Sequence, residues 1–181
     1  MFVFFSGLHN RLRLPRARLI GLTLLLFSPL AAIADSIAVL EFELNDLTLN
    51  PNLLEETERT ATLRPLLVEQ LSNHYNITVK ENPASAGIEA EKGRGYLFDR
   101  PAIAAKIGRE AGADWIVSGR LHKASFLFVY LKAQLINTQT SRVAADFVVE
   151  IKGPQKKLTK KGVESLAQQI ATAVETLDAE L

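Results

Sequence analysis

The chain has no cysteine, one tryptophan and a single methionine, which is its first residue. Without thiols it can form no disulfide, no thiolate nucleophile, no cysteine-ligated zinc site and no lipid-bearing lipoprotein cysteine. Histidine is nearly as scarce. Only three occur in 181 residues, and one of them, His9, sits near the start. His74 and His122 alone do not supply a histidine-rich metal centre. Acids at the alternating spacing of a calcium loop are absent as well. There is no internal repeat and no twin-arginine pair. The longest charge-free apolar run, Leu19 to Ala34, falls short of the about 20 residues needed to span a bilayer.

What is present begins with a basic lead-in, Arg11, Arg13, Arg16 and Arg18, ahead of that apolar run. Pro29 interrupts the run, and it closes on Ala32-Ile33-Ala34, the small-x-small pattern of a signal-peptidase site. The expectation is a secretory signal over residues 1–34, cleaved after Ala34, and one secreted α/β domain over residues 35–181. The alternative is an uncleaved anchor. The whole chain carries 21 Lys+Arg and 20 Asp+Glu, a formal +1. Four of those cations are the leader arginines, so the remainder has 17 against 20, or −3. A slightly acidic domain has no electrostatic footprint for nucleic acid. Lacking disulfides, it must be held by its core, and its length suffices for one.

Hydrophobic periodicity predicts the element order β-α-β-α-β-β-β-α. "SIAVLEFEL" (36–44) reads as one strand. A polar loop with no periodicity follows. Leu63, Leu66, Leu67 and Leu71 fall on one helix face, with Pro65 in the first turn and Glu55, Glu56 and Glu58 upstream. "NITVK" (76–80) reads as a short strand and 81–95 as a loop. A helix with Asp99 as N-cap and Pro101 in its first turn ends at Gly112. Strands at about 114–122, 127–137 and 142–152 are joined closely enough for an antiparallel meander. Val163, Leu166, Ile170, Val174, Leu177 and Leu181 mark a last helix over about 160–180. The fold class is therefore α/β (α+β): a single domain with a mixed sheet, a C-terminal three-strand antiparallel meander and about three helices.

The stretch "GADWIVSGRLH" holds an acid, a serine and a histidine. Alternation places Ala113, Trp115, Val117, Gly119 and Leu121 on the core face. Asp114, Ile116, Ser118, Arg120 and His122 then face water or a partner. Three of these, Asp114, Ser118 and His122, share a side as a triad requires. Each is four residues from the next, however, roughly 13 Å at strand rise. A nucleophile and its base need about 2.6–3.2 Å. Ile116 also stands where a nucleophile elbow needs glycine. No catalytic, metal or cofactor residue is assigned, and Gly119 is expected at a bulge or a close contact. Glu41 and Glu43 share a strand side, as entry strands commonly show.

Two further features invite binding. "GRGYLFDR" (93–100) is a glycine-rich basic loop before a helix, with Arg94, Gly95 and Arg100 as candidate anion contacts. Phe126, Phe128 and Tyr130 oppose the core-facing Leu127, Val129, Leu131, Ala133 and Leu135. Uncovered, they would form an apolar patch of the kind that marks an interface; covered by a helix, they would be a second core layer. Lys156, Lys157, Lys160 and Lys161 open the last helix against its dipole. They offer a contact for anionic lipid or an acidic partner, or simply a solvated turn.

The segments "IAVLEFELNDLTL", "LRPLLVEQL…NITVKEN" and "IAAKIGREAGADWIVSGRLHKASFLFVYLKAQLINTQTSRV" resemble a family of secreted bacterial proteins of unknown function. That family is similar in fold to the amino-terminal domain of the Tol-Pal translocation protein and to the curli-secretion lipoprotein. The shared pattern is a first strand ending near Phe42, "GAD" before a strand, the Ser118-Gly119 pair and a hairpin carrying "LINTQTSRV". Asn137 and Ser141 depart from the usual Asp and Gly of that hairpin. The lipoprotein cysteine is missing, so pore formation and membrane tethering do not carry over. The resemblance transfers no catalytic residue.

The sequence thus points to a non-catalytic periplasmic or secreted protein-interaction module of the cell envelope. Its partner would be another envelope protein, met through Arg120, His122, Phe128 and Tyr130. The alternative is a periplasmic small-ligand or anion receptor using the 93–100 loop. A hydrolase would require residues from separate elements to converge.

Overall fold

A computed structural model of the protein describes residues 36–49, 51, 54–152 and 156–179, and among these not the side chains of 156–158 and 178. The expected leader over residues 1–34 with Ala32 and Ala34, Leu181 of the expected last helix, and the side chains of Lys156 and Lys157 lie outside the described residues. The elements are β1 (Ser36–Val39), β2 (Glu43–Asp46), α1 (Leu54–Ala61), α2 (Leu63–His74), β3 (Thr78–Lys80), α3 (Ala84–Ala90), α4 (Pro101–Glu110), β4 (Trp115–Lys123), β5 (Phe128–Asn137), β6 (Val143–Lys152) and α5 (Lys156–Asp178).

One six-stranded sheet runs β3-β1-β4-β5-β6, with β2 also on β4. The first half is parallel, β1 beside β3 and β4, and β2 beside β4. The meander β4–β5–β6 is antiparallel, as the short connections require. The class is the mixed α+β domain expected.

Helices cover both sheet faces. On one, Leu63, Leu67 and Leu71 of α2 and Leu166 and Ile170 of α5 pack on Ile37, Val117, Leu131, Leu135 and Phe147. Each such side chain contributes about 1.5–3 kcal/mol of burial. On the other, Ala104, Ala105 and Ile107 of α4 and Ala86 of α3 pack on Ala38, Leu40, Ile116 and Ile136.

Several expectations are corrected here. The strand over 36–44 is two strands. Val39 lies opposite Val117 but Glu43 opposite Arg120, so the register slips by one residue at 40–42. The slip aims Phe42 at Gly119, where any Cβ would collide with the Phe42 ring. Gly119 is thus a point of close packing, not a bulge. The loop after β2 contains α1, and the loop over 81–95 contains α3, so the described residues hold five helices rather than about three.

Nor does Asp99 cap α4. Arg100 occupies that position without a side-chain bond, because Asp99 is drawn to Arg120. Gly112 does follow the helix end, at φ 68°. Leu127 is not core-facing; it lies in the β4–β5 turn and is exposed. The second face of β4 is not open along its length, since α4 packs on Ile116 and Ser118 is buried.

Candidate functional site

Cover ends partway along β4. Beyond Ser118 the second face carries side chains in rungs that cross the sheet. Register aligns Glu43, Arg120, Lys132 and Val148 in one rung and Asn45, His122, Tyr130 and Glu150 in the next. Arg120, His122, Tyr130 and Lys132 are half-buried. Arg120 is held by Glu43 at 3.4 Å and Asp99 at 3.2 Å, and its guanidinium lies over the Phe98 ring at 4.4 Å. It fastens the 93–100 loop to the sheet.

His122 stands beside Tyr130, ring centroids 6.3 Å apart. Its Nδ1 is 3.0 Å from Asn45 Nδ2. With that amide donating, Nδ1 accepts and the neutral ring keeps its proton on Nε2. Burial, then the charges of Lys132 and Arg120, hold the imidazole below its ordinary 6.5.

The rungs end in an apolar rim. Phe126, Leu127 and Phe128 are 59, 71 and 44 % exposed in the β4–β5 turn. Leu47 and Leu49, 61 and 93 % exposed, follow β2 at the same end, where Leu47 N–H donates to the Lys123 carbonyl at 3.0 Å. Ser125 Oγ shapes the turn by accepting from the N–H groups of Leu127 and Phe128. Of the expected patch Phe126, Phe128 and Tyr130, the two phenylalanines are uncovered and Tyr130 is half-buried.

Beneath this rim lies an ionic network that sequence patterning did not indicate. Lys123 Nζ sits 3.3 Å from Asp46 Oδ2 and 3.1 Å from Glu56 Oε1. Arg59 reaches Glu56 at 3.4 Å and donates from Nε to Thr159 Oγ1 at 2.8 Å. All four charged side chains are at most 7 % exposed. Burial pushes the Asp46 carboxyl up. Two hydrogen bonds from Thr48 and the Lys123 ammonium more than offset that, leaving it below 3.8. Two cations and two anions join β2, β4, α1 and α5 under the rim. One signal was available: Lys123 breaks the pattern at a core-facing position of β4.

The serine, acid and imidazole sit apart. Asp114 Oδ2 accepts from Ser36 Oγ at 2.6 Å and Ser36 N–H at 3.1 Å, joining β1 to the start of β4. Ser118 is 2 % exposed. His122 turns to Asn45. Among the described residues no group of three His, Asp or Glu could hold a metal ion.

The 93–100 loop borders a hollow of about 450 Å³ with Leu40, Phe42, Glu43, Asn82 and Arg94 on its wall. Asn82 Oδ1 is buried there without a hydrogen-bond partner, while its Nδ2 donates to the Val39 carbonyl. Gly95 lies tight against Arg120 and Asp99. Arg100 stacks over Tyr96 at 4.3 Å. Of the three proposed anion contacts, Arg94 alone lines the hollow. At the other side, Lys160 and Lys161 are exposed on α5.

Comparison with known proteins adds fold and family. The family model described as "Protein of unknown function (DUF2380)" matches residues 35–170. A hypothetical protein of Chlamydia trachomatis, CT253, is similar at TM-score 0.56 and 11 % identity, over 78 % of this chain and 99 % of that one. A PelC dodecamer subunit of Paraburkholderia phytofirmans follows at 0.51 and 14 %, over 77 and 87 %. TolB of Acinetobacter baumannii matches at 0.43 and 15 %, over 78 and 27 %, too loosely to argue from. At such identities the likeness is one of fold. No curated protein matches the chain in sequence.

Proposed function

Because the chain belongs to this family of unknown function, its role must be read from its own surface, and we propose a non-catalytic, exported protein-interaction module of the cell envelope. The docking surface is the β4–β5 rim with Leu47 and Leu49 beside it and the half-buried His122–Tyr130 rung behind. The observation that carries this is the run Phe126-Leu127-Phe128, left open to solvent at the end of an otherwise well-packed sheet. The buried network below holds the rim rigid, so a partner need not meet the cost of ordering it. Export rests on the basic lead-in, the apolar run and Ala32-Ile33-Ala34. Among the described residues no helix is long and apolar enough to cross a membrane.

The partner is an envelope protein presenting an apolar surface. Phe126→Asp with Phe128→Asp should abolish its co-purification from crosslinked cells at unchanged melting temperature, since both rings are exposed. Retention of the same partner by that variant would refute the assignment. Arg120→Glu with Tyr130→Ala tests the rung separately.

The hollow beside Arg94 supports a second reading, a receptor for a small ligand whose donor would satisfy Asn82 Oδ1. A ligand-dependent rise in melting temperature, lost in Arg94→Ala with Asn82→Ala, would support it. No shift across a screen of small anions and amides would count against it.

A further inference from the structure

Strand β6 is the long outer edge of the sheet, with no strand beyond it among the described residues. It is ten residues long, while β3 at the opposite edge has three. Ala144 is the extra residue where Leu135 pairs with Ala145 but Ile136 with Val143. From Ala145 to Lys152 the strand is regular and free of proline, so its outward N–H and C=O groups form an open template.

We propose that this edge receives β6 of a second copy of the chain, antiparallel about a two-fold axis at Val149. Paired length and charge together select that register. Ala144, Asp146, Val148, Glu150 and Lys152 are exposed on one face of β6, and Phe147, Val149 and Ile151 face the core. An axis at Val149 sets Asp146 opposite Lys152 of the second copy, twice by symmetry. It also sets Phe147 opposite Ile151 and Val149 opposite itself. An axis at Val148 would set Asp146 against Glu150, and one at Glu150 would set Glu150 on itself. Like charges directly opposite each other destabilise a strand pair. Within the regular stretch 145–152, an axis at Phe147 would pair five residues and one at Ile151 three, against seven for Val149. The one internal pair to be given up, Lys152 with Glu150, is 3.9 Å long and exposed.

The flank agrees. A hollow of about 510 Å³ lies between β6 and α5, walled by Ala145 and Phe147 on the strand and Gln169, Thr172, Ala173 and Thr176 on the helix. Its uncharged wall suits the α5 of a second copy, which the two-fold axis brings to the same side of the joined sheet. Lys152 lies opposite Phe128 of the rim, but the contact itself uses the outer edge of β6 and no rim side chain.

Sedimentation equilibrium of the purified protein tests it. The wild type should dimerise. Asp146→Lys and Lys152→Asp each turn two attractive pairs into repulsive ones and should raise the dimer dissociation constant about tenfold or more. Both residues are exposed, so melting curves should show intact folding. Mixing the two variants restores both attractive pairs, and so does the double swap; each should recover the dimer. A wild type that stays monomeric, or swaps that leave its association unchanged, would overturn the proposal. Dimerisation should survive Phe126→Asp, since Phe126 lies in the turn and pairs with no residue of β6.

Discussion

Replacing Lys123 by methionine should cost more than any surface change in this protein. The ammonium is 5 % exposed and is the direct partner of both Asp46 and Glu56, themselves 0 and 7 % exposed. Its removal leaves two buried carboxylates with Arg59 as the one cation of the network. Breaking a buried pair in this way costs about 3–5 kcal/mol, a large share of the roughly 5–15 kcal/mol of a typical domain. For a domain of this size that lowers the melting temperature by about 6–20 °C. Acid should reveal the cause. In the wild type Asp46 is held below 3.8, so its contribution is complete above that value and is lost as pH falls through its folded pKa. In Lys123→Met the ammonium's share of that lowering is absent, so Asp46 has less stabilisation to lose to acid than in the wild type. Chemical denaturation at pH 7 and near pH 3 should therefore show a gap between wild type and variant that narrows with acid. Adding Glu56→Gln to Lys123→Met should cost less than the two single changes summed. A loss below about 1 kcal/mol, the value of an exposed pair, would refute the idea of a desolvated network.

Other outcomes follow from the packing. Gly119→Ala drives a methyl into the Phe42 ring and should destabilise by about 1–3 kcal/mol; combined with Phe42→Leu the penalty should shrink, as denaturant midpoints would show. His122 has its folded pKa below the unfolded 6.5, so the folded state binds fewer protons and stability falls as pH drops below that value. His122→Gln should flatten this part of the stability–pH curve, with Asp46 still giving the loss at lower pH. Ser118→Ala should leave the fold intact, and hydrolysis of generic ester substrates should be equally absent with either residue; a serine-dependent esterase activity would contradict the non-catalytic assignment.

The antiparallel meander and α5 were legible because most of their apolar residues keep period, two in β4 to β6, where Ile116, Lys123 and Val148 break it, and three to four in α5. The break between β1 and β2 was not, because both strands lie on β4 and a one-residue slip leaves apolar content unchanged. Helix α1 was hidden for a different reason. Its buried residues are Glu56, Arg59 and Thr60, so ion pairs rather than an apolar face hold it. Helix α3 buries only Ala86 and carries almost no periodic signal. At the candidate site, alternation placed Phe128, Tyr130, His122 and Arg120 on one side. It could not show that Arg120 is tied to Glu43 and Asp99, since both partners come from distant elements.

Docking at the rim is tested most directly by placing a photo-crosslinking amino acid, one position at a time, at 126, 127 or 128 in living cells. Ile88, 64 % exposed on α3, serves as an equally apolar control position. The account predicts one discrete adduct, with the same envelope protein, from the three rim positions and none from position 88. Identical adducts from position 88, or none from the rim, would contradict it.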